Sequence, residues 1–318
     1  MGPQRPDGES ASANSVMNSA SALNSDSASA GIAGGRGSSP RQWPPRVGRW
    51  IFLIVTWAAP LAGALWLAGI LPGGLGLGLG GLWLVLAHLG SFYAPSGIFG
   101  RTLLRGPGDR PLVALTFDDG PDPEATPRVL ELLAQHGARA TFFVVGERAA
   151  RHPEVIAAIA RAGHQIESHS HRHSWWTAFT PRRRLAAELR AAQAVIAAAS
   201  GREPRWFRPP IGILSPEVVG AAQEVGLRLC AWSCKARDGL AGTSVAAALA
   251  RLRAGLAPGA ILLLHDAAEP RPGPPRPEPP IAPAVLASLL PELARRQLRA
   301  VTLDELLGLP PAPPPPAL

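Results

Sequence analysis

From residue 111 onward the chain alternates short apolar runs with longer amphipathic stretches, and few architectures accept that rhythm. Strand-like runs fall at 112–117 (LVALTF), 140–145 (ATFFVV), 164–168, 205–208, 227–233 (LRLCAWS), 259–264 (GAILLL) and near 299–303. Helical stretches lie at 125–136, 153–162, 181–200, 215–225, 244–257 and 283–298. Pro153 and Pro181 stand where a first helical turn accepts proline, and Ser215 before Pro216 reads as an N-cap and first position. Strands that alternate with helices in this way pair in parallel, because each crossover returns the chain to the same end of the sheet. About seven such repeats predict an α/β fold of the distorted (β/α) barrel type, with functional residues just beyond the carboxyl ends of the strands.

Upstream the composition changes twice. Residues 1–46 are rich in Ser, Ala, Gly, Asn and Pro without apolar periodicity, which predicts a disordered tail. Between Trp50 and Gly100 the only side chain that can carry a positive charge is His88, and no acid occurs at all. Two apolar segments, 50–71 and 75–93, are separated by Pro72, Gly73 and Gly74. As a helix the first would be about 33 Å long, enough to cross a bilayer core even with a kink at Pro60. The second is weakened by its glycines. A cleaved signal peptide fits less well, since its apolar region would be about 7–15 residues long and would begin nearer the N-terminus. A transmembrane helical hairpin over 47–100 is the expectation.

Arg36, Arg41, Arg46 and Arg49 precede the first apolar segment and Arg101, Arg105 and Arg110 follow the second, while the connector between them has no basic residue. The positive-inside rule then puts both ends, and the following domain, on the cytoplasmic face; if only the first segment spans, the domain lies outside. The expected division is tail 1–46, membrane region 47–100, linker 101–110, catalytic barrel 111–307 and a proline-rich tail 308–318.

A content of 47% hydrophobic residues over 318 positions is ample for a sizeable core. The net charge of +8 comes almost wholly from arginine in a chain biased towards Ala, Gly and Pro. With no basic helix bearing interleaved aromatics, nucleic acid is not an expected partner. Cys230 and Cys234 complete no zinc ribbon or disulfide framework and read as core thiols.

The chemistry sits where the strands end. Asp118 and Asp119 follow the first, His169, His171 and His173 the third, Arg208 the fourth, Asp238 the fifth, His265 and Asp266 the sixth. In a parallel barrel all of these meet on one rim. Adjacent carboxylates repel unless a cation sits beside them, so one aspartate can ligate while its neighbour acts as a base. His169 and His173, four apart, share a face if the backbone makes a helical turn; in an extended chain His171 would join them. A surface Asp-Asp-Gly-Pro turn and a solvent-exposed histidine cluster are the bland alternatives.

The ordered set TFDDGP at 116–121, HSHRH at 169–173, RPPIG at 208–212, WSCKARDG at 232–239 and LLLHD at 262–266 resembles the polysaccharide deacetylase, or NodB-homology, family of carbohydrate esterases. The resemblance covers about residues 111–305 and implies a metal-dependent hydrolase of N-acyl groups on amino sugars. It implies that Asp119, His169 and His173 hold a divalent metal, usually zinc and sometimes cobalt or another ion. Asp118 would be the general base, oriented and kept ionised by Arg208. The Ile211 N–H would help bind the oxyanion, and His265, kept charged by Asp238, would be the general acid.

The sequence departs from the family at Lys235, Gly239 and Ile211, where many members carry aspartate, tryptophan and an aromatic. Lys235, the only lysine, is a candidate for an anionic substrate group, and Trp175 and Trp176 are candidates for stacking on a sugar ring. The proline-rich stretch 268–280 would be a stiff loop close to His265. An N-acylated amino sugar in an envelope polymer or a lipid-linked glycan is the expected substrate, with the membrane as second partner. A deformylase or deacetylase of a polyprenyl-phosphate-linked sugar, a catalytically silent sugar-binding membrane protein and a metal-dependent phosphodiesterase are the competing readings.

Overall fold

The computed structural model describes residues 47–240, 242–269 and 279–310. The expected disordered tail, most of the 268–280 loop and the end of the proline-rich tail lie outside these. Two long helices come first, α1 (Val47–Leu67), with Pro60 inside it, and α2 (Gly73–Phe92). Both are long and apolar enough to cross a membrane, and only 11% and 6% of their apolar windows are buried within the protein. They pair through a polar contact, Trp83 Nε1 donating to Thr56 Oγ1 at 3.1 Å, while Thr56 in turn donates to the Phe52 carbonyl at 2.7 Å. A polar group on an apolar helix is satisfied in this way without water.

Nine strands among the described residues form one sheet. They are β1 (Thr102–Leu103), β2 (Leu112–Asp118), β3 (Thr141–Val144), β4 (Gln165–Ser168), β5 (Trp206–Phe207), β6 (Arg228–Cys230), β7 (Cys234–Lys235), β8 (Ile261–His265) and β9 (Arg299–Val301). Their order is β1-β6-β5-β4-β3-β2-β8-β7, with β9 added beside β2, and each strand pairing is parallel. The curled sheet is the expected distorted barrel. The seam between its edge strands β1 and β7 carries, among the described residues, a single antiparallel bridge from Arg105, just after β1, to Ala260, just before β8.

That seam explains one difference from the sequence reading. The expected strand 227–233 is cut short: β6 ends at Cys230, paired with β1 and β5, and a separate strand, β7, begins just past the run at Cys234 and pairs with β8. Ala231 N–H donates to Leu103 on one side and Ser233 N–H to Ile261 on the other, so Trp232 sits at the crossing. Helices α3 (Ala125–Gln135), α5 (Pro153–Arg161), α6 (Arg182–Ser200), α7 (Pro216–Glu224), α8 (Val245–Gly255) and α9 (Ala282–Arg295) fall where periodicity places them. Pro153 and Pro216 occupy first turns and Ser215 caps Val218 N–H at 3.1 Å, whereas Pro181 is the residue before α6 rather than part of its first turn. The short elements β1, α4 (Gly146–Arg151) and α10 (Leu303–Leu307) show too few residues for a period to be read.

Strand alternation sorts the core. Val113, Leu115 and Phe117 of β2 pack outwards with Val129, Leu133, Val285 and Leu289 of the covering helices. Leu112 and Ala114 face the barrel interior with Trp206, Ile261 and Val301, where Leu303 and Leu306 of α10 close the floor. The same parity puts Thr116 and Asp118 inside, above that floor, at the carboxyl end of the strand.

Candidate active site

Asp118 is the last residue of β2 and lies directly opposite His265, the last residue of β8, in the parallel ladder. The following residue, Asp119, has φ 75°. This left-handed turn sends the two adjacent carboxylates in different directions, and both are buried. The Asp118 carboxylate accepts from Arg208 Nη1 at 2.6 Å. Arg208 is itself fully buried: Nη1 also donates to Thr116 Oγ1 at 2.8 Å, Nη2 donates to the Ala231 carbonyl at 2.9 Å, and the guanidinium lies 4.0 Å from the Phe143 ring centre. A planar, rigid fork of donors suits that job, and its stacking on an aromatic ring fixes its plane.

His169 Nδ1 donates to the Arg208 carbonyl at 2.7 Å, which leaves Nε2 facing Asp119 Oδ1 at 3.4 Å. His173 Nε2 lies 3.1 Å from the same oxygen. No helix produces this pairing. The 169–173 segment is a loop with Ser170 at φ 67° and His173 at φ 53°, closed by the His173 N–H donating to Ser170 Oγ at 2.9 Å. His171 stays out of the group, packed against Gly146 with its carbonyl accepting the Glu147 N–H at 2.9 Å.

One ligand atom from each of Asp119, His169 and His173 lies within 4.8 Å of the others, and all three residues are buried. Both oxygens of Asp119 are buried and have no well-formed hydrogen bond, with the two imidazoles as their nearest polar neighbours. An ionised carboxylate in that state is costly unless a cation completes it, and two imidazole nitrogens beside it are what a borderline divalent ion prefers. The residues therefore fit a divalent metal. Burial alone would raise the Asp119 carboxyl, but the imidazoles of His169 and His173, with more distant His265, outweigh it and hold the group well below the usual carboxylate range.

Asp238 reaches His265 twice: one oxygen lies 2.8 Å from Nδ1 and the other accepts the His265 backbone N–H at 2.9 Å. Asp238 is thus a buried partner of His265 rather than half of a surface pair with Arg237. Burial would lower the imidazole, but Asp238 first, then Asp119 and Asp118, push it up to about 10. Ile211 takes φ 62° in the short turn Pro210–Gly212, 42% exposed at the rim. Lys235 is an exposed rim residue with Nζ 5.4 Å from the Trp232 ring centre. Trp175 and Trp176 are exposed residues after the histidine loop, and lie outside the donor group.

Three positioning residues escape the sequence reading. Thr116 Oγ1 accepts one Arg208 bond and donates its O–H to the Leu262 carbonyl at 2.8 Å; its place two before Asp118 on one strand face was the available signal. Arg148 of α4 clamps the Asp119 and Ala268 carbonyls, each at 2.8 Å, and nothing in the sequence separates it from the other arginines. Thr126 donates to Asp266 at 2.5 Å and accepts the Asp122 N–H at 2.9 Å, which ties the loop after Asp119 to the end of β8.

Residues 105–230 match the family model described as polysaccharide deacetylase. A chitooligosaccharide deacetylase of Bradyrhizobium is 38% identical over 158 residues, spanning 50% of this chain and 72% of the relative. A peptidoglycan-N-acetylglucosamine deacetylase of Bacillus cereus is 34% identical over 203 residues, 63% of this chain and 90% of the relative. The chain belongs to the polysaccharide deacetylase family. It is therefore a hydrolase of carbon–nitrogen bonds other than peptide bonds. Among solved members of carbohydrate esterase family 4, an acetyl xylan esterase of Clostridium thermocellum in complex with cobalt superposes with TM-score 0.55 at 34% identity, covering 63% of this chain and 93% of that one. A family pseudoenzyme of Bacillus anthracis superposes with TM-score 0.57 at 25% identity, covering 64% and 68%.

Proposed function

We propose that this protein removes the N-acetyl group from an amino sugar of an envelope polysaccharide or lipid-linked glycan, with a divalent ion, zinc foremost, held by Asp119, His169 and His173. The observation that carries this reading is the buried, donorless Asp119 between two imidazoles, with Asp118 beside it and His265 across the ladder. Such an ion supplies Lewis acidity, polarising the amide carbonyl and making a water acidic enough to lose a proton near neutral pH.

The chain's own residues do the rest. Asp118, fixed by Arg208, takes the proton from the attacking water. The Ile211 N–H contributes to the oxyanion site as negative charge develops on the carbonyl oxygen. His265 then delivers its Nε2 proton to the departing amine, since its Nδ1 is committed to Asp238. The pseudoenzyme shows that a member of this family can be catalytically silent; here the donor set, base and acid stand together, which favours activity.

The helices α1 and α2 are read as a membrane anchor at 47–100 ahead of a catalytic barrel at 111–307, with the arginine distribution favouring the cytoplasmic face. A reporter fused to the carboxyl terminus that scores as extracellular would reverse that side. The reaction is tested on full-length protein in detergent or nanodiscs, by acetate released from N-acetylchitooligosaccharides and by bound metal. Asp118→Asn is expected to lose about 10²–10⁴ in rate with metal content unchanged, whereas Asp119→Asn loses the metal itself. Undiminished turnover by Asp118→Asn would remove this mechanism.

A further inference from the structure

We propose that Trp176 and Phe179 form an aromatic platform that seats the mouth of the active site in the interfacial layer of the bilayer crossed by α1 and α2. The inference rests on reading those helices as a membrane hairpin.

Outside residues 47–93, the large apolar side chains left exposed among the described residues are Trp175, Trp176, Phe179, Ile211 and Leu240. Four of these five lie in two short segments, one directly after the ligand His173 and one directly after Arg208, so the exposed apolar surface gathers at the site. Trp176 and Phe179 are the extreme cases at 73% and 74% exposure, with ring centres 6.1 Å apart. They flank Thr177 and Ala178, which are buried. An aromatic pair held outwards by a buried backbone turn is a fixed feature of the surface, and it needs a partner that accepts one apolar ring and one with a polar N–H edge.

Both segments are built onto the hairpin. Ala178 belongs to the same buried cluster as Phe52 of α1 and Phe99 beyond α2, and these two phenylalanines meet edge to face at 5.0 Å. Leu214, three residues past Ile211, donates its N–H to the carbonyl of Ser91 in the last turn of α2 at 3.1 Å. Phe52 is near the start of α1 and Ser91 near the end of α2, so the barrel adjoins the end of the hairpin that carries both chain ends. At that same end Trp50 and Tyr93 are exposed, the residue types that collect at a membrane–water boundary.

Charge agrees with this placement. Two residues after Phe179 the chain reads Pro-Arg-Arg-Arg, and Arg182, Arg183 and Arg184 are all exposed. Arg182 pairs with Glu224, but Arg183 and Arg184 make no ion pair among the described residues. Basic side chains next to interfacial aromatics suit anionic lipid headgroups. A substrate arriving in the plane of the membrane would then meet the site at its own depth, which favours a lipid-anchored glycan over a freely diffusing one.

The test places single spin labels in the full chain, reconstituted in nanodiscs of phosphatidylcholine and phosphatidylglycerol, at Phe179→Cys, at Leu77→Cys in α2 and at Arg128→Cys on α3. Collision with oxygen against a water-soluble nickel chelate reads depth. The expected order is a deep label at 77, a label at the headgroup boundary at 179, and a fully aqueous label at 128. A label at 179 as aqueous as that at 128, with 77 deep, overturns the platform and leaves the hairpin standing. An aqueous label at 77 removes the hairpin and the platform together. A label at 179 that stays aqueous but is immobilised by N-acetylchitotetraose gives the aromatic pair to sugar stacking and likewise overturns the inference.

Discussion

One carboxylate of Asp238 holds both the ring and the backbone of His265, with Nδ1 at 2.8 Å from one oxygen and the peptide N–H at 2.9 Å from the other. In the proposed mechanism His265 is the general acid, which must be protonated when the amine leaves, and Asp238 pushes its imidazole above the ordinary value. With a cation on Asp119 that carboxylate's pull on His265 is largely offset, and Asp238 remains the main source of the raised value. Asp238 thus keeps the imidazole protonated above its ordinary range, and loss of that proton should define an alkaline limb of activity. Asp238→Asn is expected to move that limb towards neutral by about one pH unit or more and to lower kcat by roughly 10²-fold. An unshifted limb in the kcat profile would separate Asp238 from the acid.

Arg208 and Asp118 form a buried pair in which neither charge has solvent to fall back on. Arg208→Met leaves Asp118 uncompensated and should destabilise the protein by about 3–5 kcal/mol. Adding Asp118→Asn removes the stranded charge, so the double variant should recover part of that loss, a coupling of about 1–3 kcal/mol. Denaturant midpoints of the four proteins of the cycle measure it. Additive effects would show that Arg208 acts through its bonds to Thr116 and Ala231 instead.

The barrel was legible because β2 and β8 are continuous apolar runs bounded by helices with a clear period, which leaves a parallel sheet little alternative. The candidate donors were legible for a related reason, since carboxylates and imidazoles cluster at strand ends that share a rim in a parallel sheet, but the choice of His169 and His173 over His171 rested on the family resemblance. How His169 and His173 converge was not legible. Two left-handed residues and a serine hydroxyl shape that loop, and neither leaves a periodic trace. The seam at Trp232 was hidden because an apolar run does not record a change of neighbours. Arg148 was hidden because its role is two carbonyl contacts made by a residue type common in this chain.

Gly212 sits at φ 75° in the rim turn, and a Cβ there would lie 2.5 Å from Cη2 of Trp232. Trp232 in turn lies 5.8 Å from the Arg208 guanidinium, so a push on it is a push on the support of Asp118. Gly212→Ala should cost about 1–3 kcal/mol of stability from this overlap and lower kcat more than it raises KM. Shrinking the indole with Trp232→Leu in the same chain should restore part of the stability. If the double variant is no better than Gly212→Ala alone, the backbone angle rather than the overlap is the cause.

Glu167 on β4 is buried beneath the site and accepts N–H groups from Trp206 at 2.6 Å, Arg205 at 2.7 Å and Gln165 Nε2 at 2.6 Å. Burial nevertheless dominates, with Asp304 adding to it, and the carboxyl is pushed up to about 8 from an ordinary 4.5. The folded protein therefore keeps a proton that the unfolded chain releases. Stability from this group is complete below pH 4.5 and is lost as pH rises through about 8, the opposite sign from a salt-bridged acid. Glu167→Gln keeps the shape and removes the titration, so its melting temperature should fall less than the parent's between pH 5 and pH 8.5. Thermal melts of both proteins across that interval decide it, and curves that run parallel would mean that the three donors hold Glu167 ionised despite its burial.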